Sequence, residues 1–261
     1  MTMLRLPSFQ RARWPLPCLL MLLCGAMANA APAAELPAAT ADPAASTARV
    51  TIPPPARLKY TIYGQVSHLP YRASGELLWR QDGQNYEAQL EVSLFLLGSR
   101  TQSSSGRITP AGLQPLHFND RVHNDRTVDF DYREGRIRFS EGTPPAPLPE
   151  GAQDHLSVFL QLGSLIGAAP QRYPAGTEVT LPAMGIYGPE TWRFVVAGPE
   201  TLRLPGGEQA TVKLTRAANR ADEPNADLWL APALGWLPAR IRLWQDNGDV
   251  IDQRWRASEA P

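Results

Sequence analysis

Hairpin-forming stretches recur along this chain and constrain its fold more than any other feature. In SGELLWRQDGQNYEAQLEVS, residues 74–93, apolar and polar residues alternate on both sides of Asp82-Gly83. An Asp-Gly pair favours a two-residue turn in which both residues have positive φ. Such a loop pairs Trp79 with Tyr86 and keeps the apolar residues of both arms on one face. The stretch predicts an antiparallel strand pair with one buried face.

Two further hairpins carry the same signal. In VDFDYREGRIRF, a two-residue Glu134-Gly135 loop is predicted to pair Tyr132 with Ile137. Near the C-terminus, Asp246-Asn247-Gly248 predicts a three-residue loop with Gly248 in the left-handed conformation. That loop pairs the residues at 243 and 251 and places the residues at 242 and 252 opposite each other. Sequential hairpins of this kind favour an antiparallel meander.

One helix is predicted between the two runs of strands, in QDHLSVFLQLGSLIG at residues 153–167. Asp154 is the predicted N-cap, because a short side-chain carboxylate can accept the first free backbone N–H groups. The helix is apolar almost all round, which is typical of a buried helix. Gly163 and Gly167 leave a bare stripe on one side and permit close backbone approach.

The order of elements predicts a mainly β fold. About fourteen strands form a single curved antiparallel meander, a half-barrel or open barrel, because so many twisted strands do not lie flat. One buried apolar helix near the middle of the chain is predicted to plug the curved sheet.

The N-terminus predicts export. Residues 1–30 combine a basic start, a short apolar run and an Ala28-Asn29-Ala30 cleavage site, so we expect a signal peptide cleaved after Ala30. Residues 31–56 are rich in Ala and Pro and are predicted to be a disordered tether. Residues 57–257 then form a single β-rich domain, and we expect a periplasmic protein.

Composition narrows the classes of partner. Both cysteines of the chain, Cys18 and Cys24, lie inside the predicted signal peptide, so the mature protein has no thiol chemistry. The whole chain has 25 basic and 25 acidic residues, and three arginines leave with the signal peptide. The slightly acidic mature chain argues against nucleic acid as a partner. We expect no transmembrane anchor, since no second long apolar run follows.

Reactive side chains form no recognisable catalytic pattern, so we expect a protein that is not an enzyme, with no cofactor and no metal. His117 and His123 could share a metal only if the chain bends near Asp120, because they lie about 20 Å apart on a straight strand. We interpret the three residues as a solvated strand and turn. His155 is expected at the surface or in a capping role. The serines at 103–105 are interpreted as part of a polar strand.

Aromatic residues on the inner faces are the candidate binding residues. They line either an ordinary filled core or a cavity for an apolar ligand, and the two alternatives use the same residue types. A second candidate is an exposed interaction patch in FLLGS, formed by Phe95, Leu96 and Leu97. The candidate cavity wall consists of Trp79, Tyr86, Phe130, Tyr132, Phe159, Trp192 and Trp255.

A family resemblance rests on a succession of motifs in a fixed order. They are SGELLW, SSGRITPAGLQPLHF, DFDYREGRIRFSEG, GAQDHLSVFLQL, YPAGTEVTLP and LWLAPALGWLPARIRL. The succession resembles the secreted proteobacterial family catalogued as domain of unknown function 3108, from about Leu58 to Trp255. That family brings no established activity, cofactor or catalytic residue.

The predicted architecture is also similar to that of the outer-membrane lipoprotein carriers, which hold acyl chains against a concave sheet. This second resemblance is an analogy of fold. We therefore expect a non-enzymatic periplasmic binding or carrier protein, with a lipid or another apolar ligand as partner. The alternative is a module for protein–protein interaction or assembly in the envelope, with an envelope protein as partner, and a hydrolase is the third hypothesis.

Overall fold

The computed structural model describes residues 50–94, 98–140, 142–218 and 223–261. Within these ranges the hairpins join into one 15-stranded sheet, and a single α-helix, α1 (Ser157–Ala168), follows the first nine strands. Short 3-10 helices cover Pro170–Arg172 and Pro232–Leu234. The strands are β1 (Ala56–Val66), β2 (Leu69–Gln81), β3 (Asn85–Leu94), β4 (Gly98–Thr109), β5 (Gly112–Arg121), β6 (Asp125–Asp131), β7 (Arg136–Phe139), β8 (Ala146–Pro147), β9 (Gln153–Asp154), β10 (Glu178–Gly185), β11 (Gly188–Leu204), β12 (Gly207–Arg216), β13 (Asn225–Ala231), β14 (Leu237–Trp244) and β15 (Val250–Glu259).

The sheet consists of two meanders joined in its middle. Strands β1 to β8 run outward on one side, and β15 back to β9 run outward on the other, with β1 and β15 paired between them. Every pair is antiparallel except β9 with β10. The two edge strands, β8 and β9, are neighbours in sequence, and the sheet is open rather than closed into a barrel. The predicted open antiparallel meander is confirmed.

For the first hairpin, the predicted faces of the strands are correct and the predicted residue pairing is wrong. Trp79 pairs with Ala88 rather than Tyr86, because the loop is longer than two residues. The Asp82 carboxylate accepts the N–H groups of Gln84 at 2.8 Å and Asn85 at 2.7 Å, which stabilises the longer turn. The register shift is even, so Trp79 and Tyr86 still face the core.

The pairing in the second hairpin differs from the predicted pairing in the same way. Ile137 pairs with Phe130 rather than Tyr132, and the Asp131 carboxylate accepts the N–H groups of Arg133 at 3.0 Å and Glu134 at 2.9 Å. Tyr132 therefore lies in the loop and is 36% exposed. In both hairpins an Asp next to the turn lengthens the loop through side-chain-to-backbone hydrogen bonds.

The third hairpin has the predicted pairing. Leu243 pairs with Ile251 and Arg242 pairs with Asp252. Gly248 has a φ of 89°, the left-handed conformation that this loop requires.

The helix begins later than predicted and is fully buried over its first ten residues. Gln153 and Asp154 form β9, and α1 starts only at Ser157. Asp154 still acts at the helix start, because its carboxylate accepts the N–H groups of Leu156 at 2.9 Å and Ser157 at 2.7 Å. The helix contacts β5 from one meander and β14 from the other, so the sheet curves around it.

The stripe at Gly163 and Gly167 is filled, in contrast to the prediction that it is bare. A Cβ atom on Gly163 would lie 2.4 Å from the carbonyl oxygen of Trp236. One on Gly167 would lie 2.6 Å from the indole Cδ1 of Trp236. The two glycines therefore serve the close backbone approach that the sequence indicates.

The last residues of the predicted tether contact the domain. Most of residues 31–56 lies outside the described residues, as does the predicted signal peptide, but the last part contacts the domain. Thr51 N–H donates to Ser164 O at 2.9 Å, and Pro53 O accepts the indole N–H of Trp79 at 3.0 Å. Val50 and Ile52 pack against the core, so the ordered domain includes residues before Arg57.

The helix divides the core into two clusters. Leu156 and Leu160 pack with side chains that come mostly from β1–β7, and we call this group the first cluster. Phe159, Leu162 and Ile166 pack with side chains of β10–β14, and we call this group the second cluster. Opposite sides of α1 thus serve opposite meanders, which accounts for the apolar residues all round it.

Candidate ligand-binding site

A small cavity lies beside the first turn of α1, at the side of the second cluster. Its volume is about 20 Å³, which is room for about one water molecule. Apolar side chains form most of the wall, and polar side chains converge on it. The lining residues are Leu90, Gln102, His155, Phe159, Trp192, Arg216, Pro224, Ala226, Ile241, Leu243 and Gln253.

His155 lies in the wall of this cavity and not at the surface, which corrects the expectation from sequence. Its side chain is only 12% exposed, and its ring stacks on Trp192 with 4.8 Å between the ring centroids. Nε2 of His155 lies 3.4 Å from Oε2 of Glu190, an ion-pair distance without hydrogen-bond geometry. Trp192 of β11 and Phe118 of β5 both pack against the His155 ring, and these long-range contacts bury it.

Glu190 is a half-buried carboxylate next to His155 in the cavity wall. Burial by itself raises the pKa of Glu190, but its interactions with His155, with the indole N–H of Trp192 and with Arg216 together lower the pKa to about 2. The indole Nε1 of Trp192 donates to Oε2 of Glu190 at 2.7 Å. Glu190 is therefore ionised, and it fixes the orientation of the Trp192 ring.

Arg216 also lines the cavity and is 3% exposed. Its Nη2 donates to Glu223 Oε2 at 2.5 Å, and its Nη1 donates to Pro224 O at 2.7 Å. The guanidinium lies 4.6 Å from the ring centroid of Trp192, within range of a cation–π interaction. Its Nε has no hydrogen-bond partner.

Unpartnered polar atoms concentrate at this cavity. In the described part of the chain, five buried side-chain polar atoms lack a hydrogen-bond partner, and three of them belong to residues that line the cavity. They are Nε2 of His155, Nε of Arg216 and Oε1 of Gln253. Such atoms cost about 1–3 kcal/mol each when they stay unsatisfied, so a cluster of them indicates a place where a polar group binds.

Strand β4 adds a polar row on the inner face of the sheet. Nε of Arg100 donates to Oδ1 of Asp120 at 2.7 Å, and Nε2 of Gln102 donates to Oδ2 of Asp120 at 3.3 Å. Arg100, Gln102 and Asp120 are all buried. These buried polar residues were not predicted from the sequence. The strand pairing of β3 with β4 would have indicated them, because Gln102 pairs with Leu90, which faces inward.

Ser104, also on the inner face of β4, contacts the start of the helix. Ser104 donates to Oδ2 of Asp154 at 2.5 Å, and the Ser104 hydroxyl lies 3.0 Å from the Tyr86 hydroxyl. Asp154 is fully buried, and this burial raises its pKa despite the hydrogen bonds that it accepts from Ser104, Ser157 and Leu156. The serines interpreted as a polar strand thus anchor α1 through Ser104.

The seven aromatic residues of the predicted cavity wall fall into three environments. Phe159 and Trp192 line the cavity, with 5.9 Å between their ring centroids. Tyr132 lies in a turn, with its side chain at the surface. The other four belong to the first cluster, and these are Trp79, Tyr86, Phe130 and Trp255.

The remaining sequence candidates do not come together at this site. His117 is exposed and its Nδ1 lies 2.7 Å from Asp129 Oδ1, whereas Asp120 faces inward. No group of three or more potential metal ligands occurs among the residues that the structure describes. The predicted patch at Phe95, Leu96 and Leu97 lies outside the described residues.

The fold and this cavity define a protein in which one open, curved antiparallel sheet packs around a helix and leaves a small cavity with apolar and polar walls. A family model described as "Protein of unknown function (DUF3108)" matches residues 60–252, so the chain belongs to that family. None of the curated proteins matches the chain. No helix in the described ranges is long and apolar enough to span a membrane.

Two solved structures are similar to this chain. A β-barrel-like protein of domain of unknown function DUF1849 from Brucella abortus is 10% identical with a TM-score of 0.55, over 81% of this chain and 99% of that one. This likeness shows the fold alone. A putative outer-membrane lipoprotein-sorting protein domain from Vibrio parahaemolyticus is 7% identical with a TM-score of 0.28, over 79% of this chain and 85% of that one.

Proposed function

We propose that this protein is a non-enzymatic periplasmic binding or carrier protein for an amphipathic, lipophilic ligand. The observation that carries the proposal is the set of unpartnered polar atoms on His155, Arg216 and Gln253 around an otherwise apolar cavity. Binding sites for small molecules combine an apolar wall with a few convergent polar groups in this way. The N-terminal segment, with its basic start and cleavage site, supports export to the periplasm.

The ligand enlarges the site when it binds. The cavity volume of about 20 Å³ is too small for an acyl chain. Phe159 and Trp192 border the cavity, and rotation of Phe159 opens space between α1 and the second cluster. A pocket of this kind is a minor conformation that the ligand stabilises.

The test compares two buried phenylalanines, one beside the cavity and one in the first cluster. N-phenyl-1-naphthylamine, an uncharged apolar fluorophore, is titrated into the wild type and into Phe159→Ala and Phe130→Ala. We expect wild-type binding, an affinity changed several-fold by Phe159→Ala, and an affinity unchanged by Phe130→Ala. Phe159→Ala should also cost less stability than a filled core site, because space already exists beside it.

The opposite pattern would overturn the proposal. A wild type that does not bind the fluorophore, together with a loss of roughly 3–5 kcal/mol in Phe159→Ala, describes a filled core without a ligand site. An assembly module in the envelope would then be the better hypothesis. The first residues to mutate would then be the apolar run Phe95, Leu96 and Leu97.

A further inference from the structure

The charges around the cavity restrict the headgroup of the ligand, an inference that rests on the proposed function. Two carboxylates, Glu190 and Glu223, border the site, together with Arg216 and His155. Arg216 is paired with Glu223, and His155 faces Glu190. In either protonation state of His155, the two cationic groups do not exceed the two carboxylates, so the site holds no excess positive charge.

An anionic headgroup is therefore disfavoured. A carboxylate or phosphate that enters this buried site loses its hydration and finds Arg216 already paired to Glu223 at 2.5 Å. Uncompensated charges are costly to bury. A cationic headgroup is disfavoured as well, because the Arg216 guanidinium already occupies a face of Trp192, 4.6 Å from the ring centroid.

The unpartnered atoms show which hydrogen bonds a headgroup must make. Nε of Arg216 is a donor that needs an acceptor, and Oε1 of Gln253 is an acceptor that needs a donor. Nε2 of His155 donates or accepts according to its tautomer. A hydroxyl group both accepts and donates, so it fits this set where an ionised carboxylate, which only accepts, does not.

We propose that the site takes an amphiphile with an uncharged, hydroxyl-bearing headgroup, held by Arg216, Gln253 and His155, with its apolar chain against Phe159 and Trp192. The acyl chain contacts the same walls whatever the headgroup. Headgroup chemistry then decides which amphiphile binds, since hydrogen-bond matching discriminates between ligands more strongly than apolar contact does.

The experiment uses three amphiphiles with the same twelve-carbon chain length and different headgroup charge. The uncharged 1-monododecanoylglycerol, anionic dodecanoate and cationic dodecyltrimethylammonium are titrated calorimetrically into the wild type below their critical micelle concentrations. We expect 1-monododecanoylglycerol to bind at least ~10-fold more tightly than either ion. Gln253→Leu removes the acceptor at similar size and should weaken 1-monododecanoylglycerol binding about 10-fold.

A matched control separates the site from a general effect of removing a buried amide. Oδ1 of Asn119 is also buried without a hydrogen-bond partner, but Asn119 faces away from the core side of β5. Asn119→Leu should leave the affinity for 1-monododecanoylglycerol unchanged.

The outcomes distinguish the two proposals. Tighter binding of dodecanoate or dodecyltrimethylammonium overturns the headgroup inference and leaves the amphiphile-binding function standing. Equal affinities in the wild type and Gln253→Leu also overturn the inference, because the polar atoms then hold no more than a water molecule. If none of the three amphiphiles binds, the proposed function fails as well.

Discussion

The core along one face of helix α1 is packed in two opposite ways. Gly163 and Gly167 lie one and two turns after Phe159 on this face, and a methyl group on them would lie 2.4 Å and 2.6 Å from Trp236. In the first turn, Phe159 borders a cavity at which three buried polar atoms lack a hydrogen-bond partner. A core built only for stability would resemble the glycine turns throughout, since native interiors are close-packed and polar atoms there are satisfied. We call the glycine turns the close-packed side of this core and the turn at Phe159 its cavity side, and the contrast supports the proposed binding site on the cavity side.

The close-packed side should respond most strongly to added volume. Gly163→Ala places a methyl group 2.4 Å from a backbone oxygen, which cannot rotate away. We expect a loss of about 3 kcal/mol in the free energy of unfolding, measured by urea denaturation. Gly167→Ala should cost less, because its methyl group meets the indole ring of Trp236, and a side chain can shift. Equal and small losses in both variants would show that this side is loosely packed.

The stability of the protein should fall in acid when Glu190, next to the cavity, becomes protonated. Its pKa in the folded protein, about 2, lies below the ordinary value of 4.5. The stabilisation that Glu190 provides is thus complete above about pH 4.5 and is lost as the pH falls towards 2. We expect roughly 2–3 kcal/mol over this window.

The measurement is urea denaturation of the wild type, Glu190→Gln and Glu178→Gln between pH 7 and pH 2.5. Glu190→Gln should show a shallower dependence on pH than the wild type, whereas Glu178→Gln, which changes an exposed carboxylate, should match the wild type. Parallel curves for the wild type and Glu190→Gln would contradict the low pKa assigned to Glu190.

Asp154, which anchors the start of α1, should tolerate loss of charge. Burial penalises the charged form of Asp154 and raises its pKa, so an amide at this position avoids that penalty. We expect Asp154→Asn to change stability by less than about 1 kcal/mol at pH 7, while Asp154→Ala, which loses the helix-start hydrogen bonds, costs about 2 kcal/mol. Thermal unfolding of both variants checks this. A larger loss in Asp154→Asn than in Asp154→Ala would assign an essential role to the charge.

Much of the fold follows from the sequence because strand faces depend only on alternation. The faces of Trp79 and Tyr86 are correct even though their pairing is not, since an even shift preserves the faces. The loop lengths at Asp82 and Asp131 were wrong because side-chain-to-backbone hydrogen bonds outweigh the preference for a two-residue turn.

The site is harder to predict because its members meet only through long-range pairing. His155, Arg216 and Gln253 come from a helix start, the end of β12 and the middle of β15. Local sequence places His155 at the surface, but Trp192 of β11 and Phe118 of β5 pack against its ring and bury it. Phe159 and Trp192 were among the predicted wall residues because the local pattern of apolar residues indicates which face is buried. The same pattern does not indicate that a polar residue faces inward.

The most direct test of a functional cavity is the stability of Gln253→Leu with and without ligand. A buried amide oxygen without a hydrogen-bond partner is unfavourable in the free protein, so replacing Gln253 with leucine should raise the free energy of unfolding by about 1 kcal/mol. The same substitution should reduce the thermal stabilisation that 1-monododecanoylglycerol gives, because the ligand loses its acceptor. A variant that is less stable than the wild type when free, and is stabilised equally by 1-monododecanoylglycerol, would contradict this account.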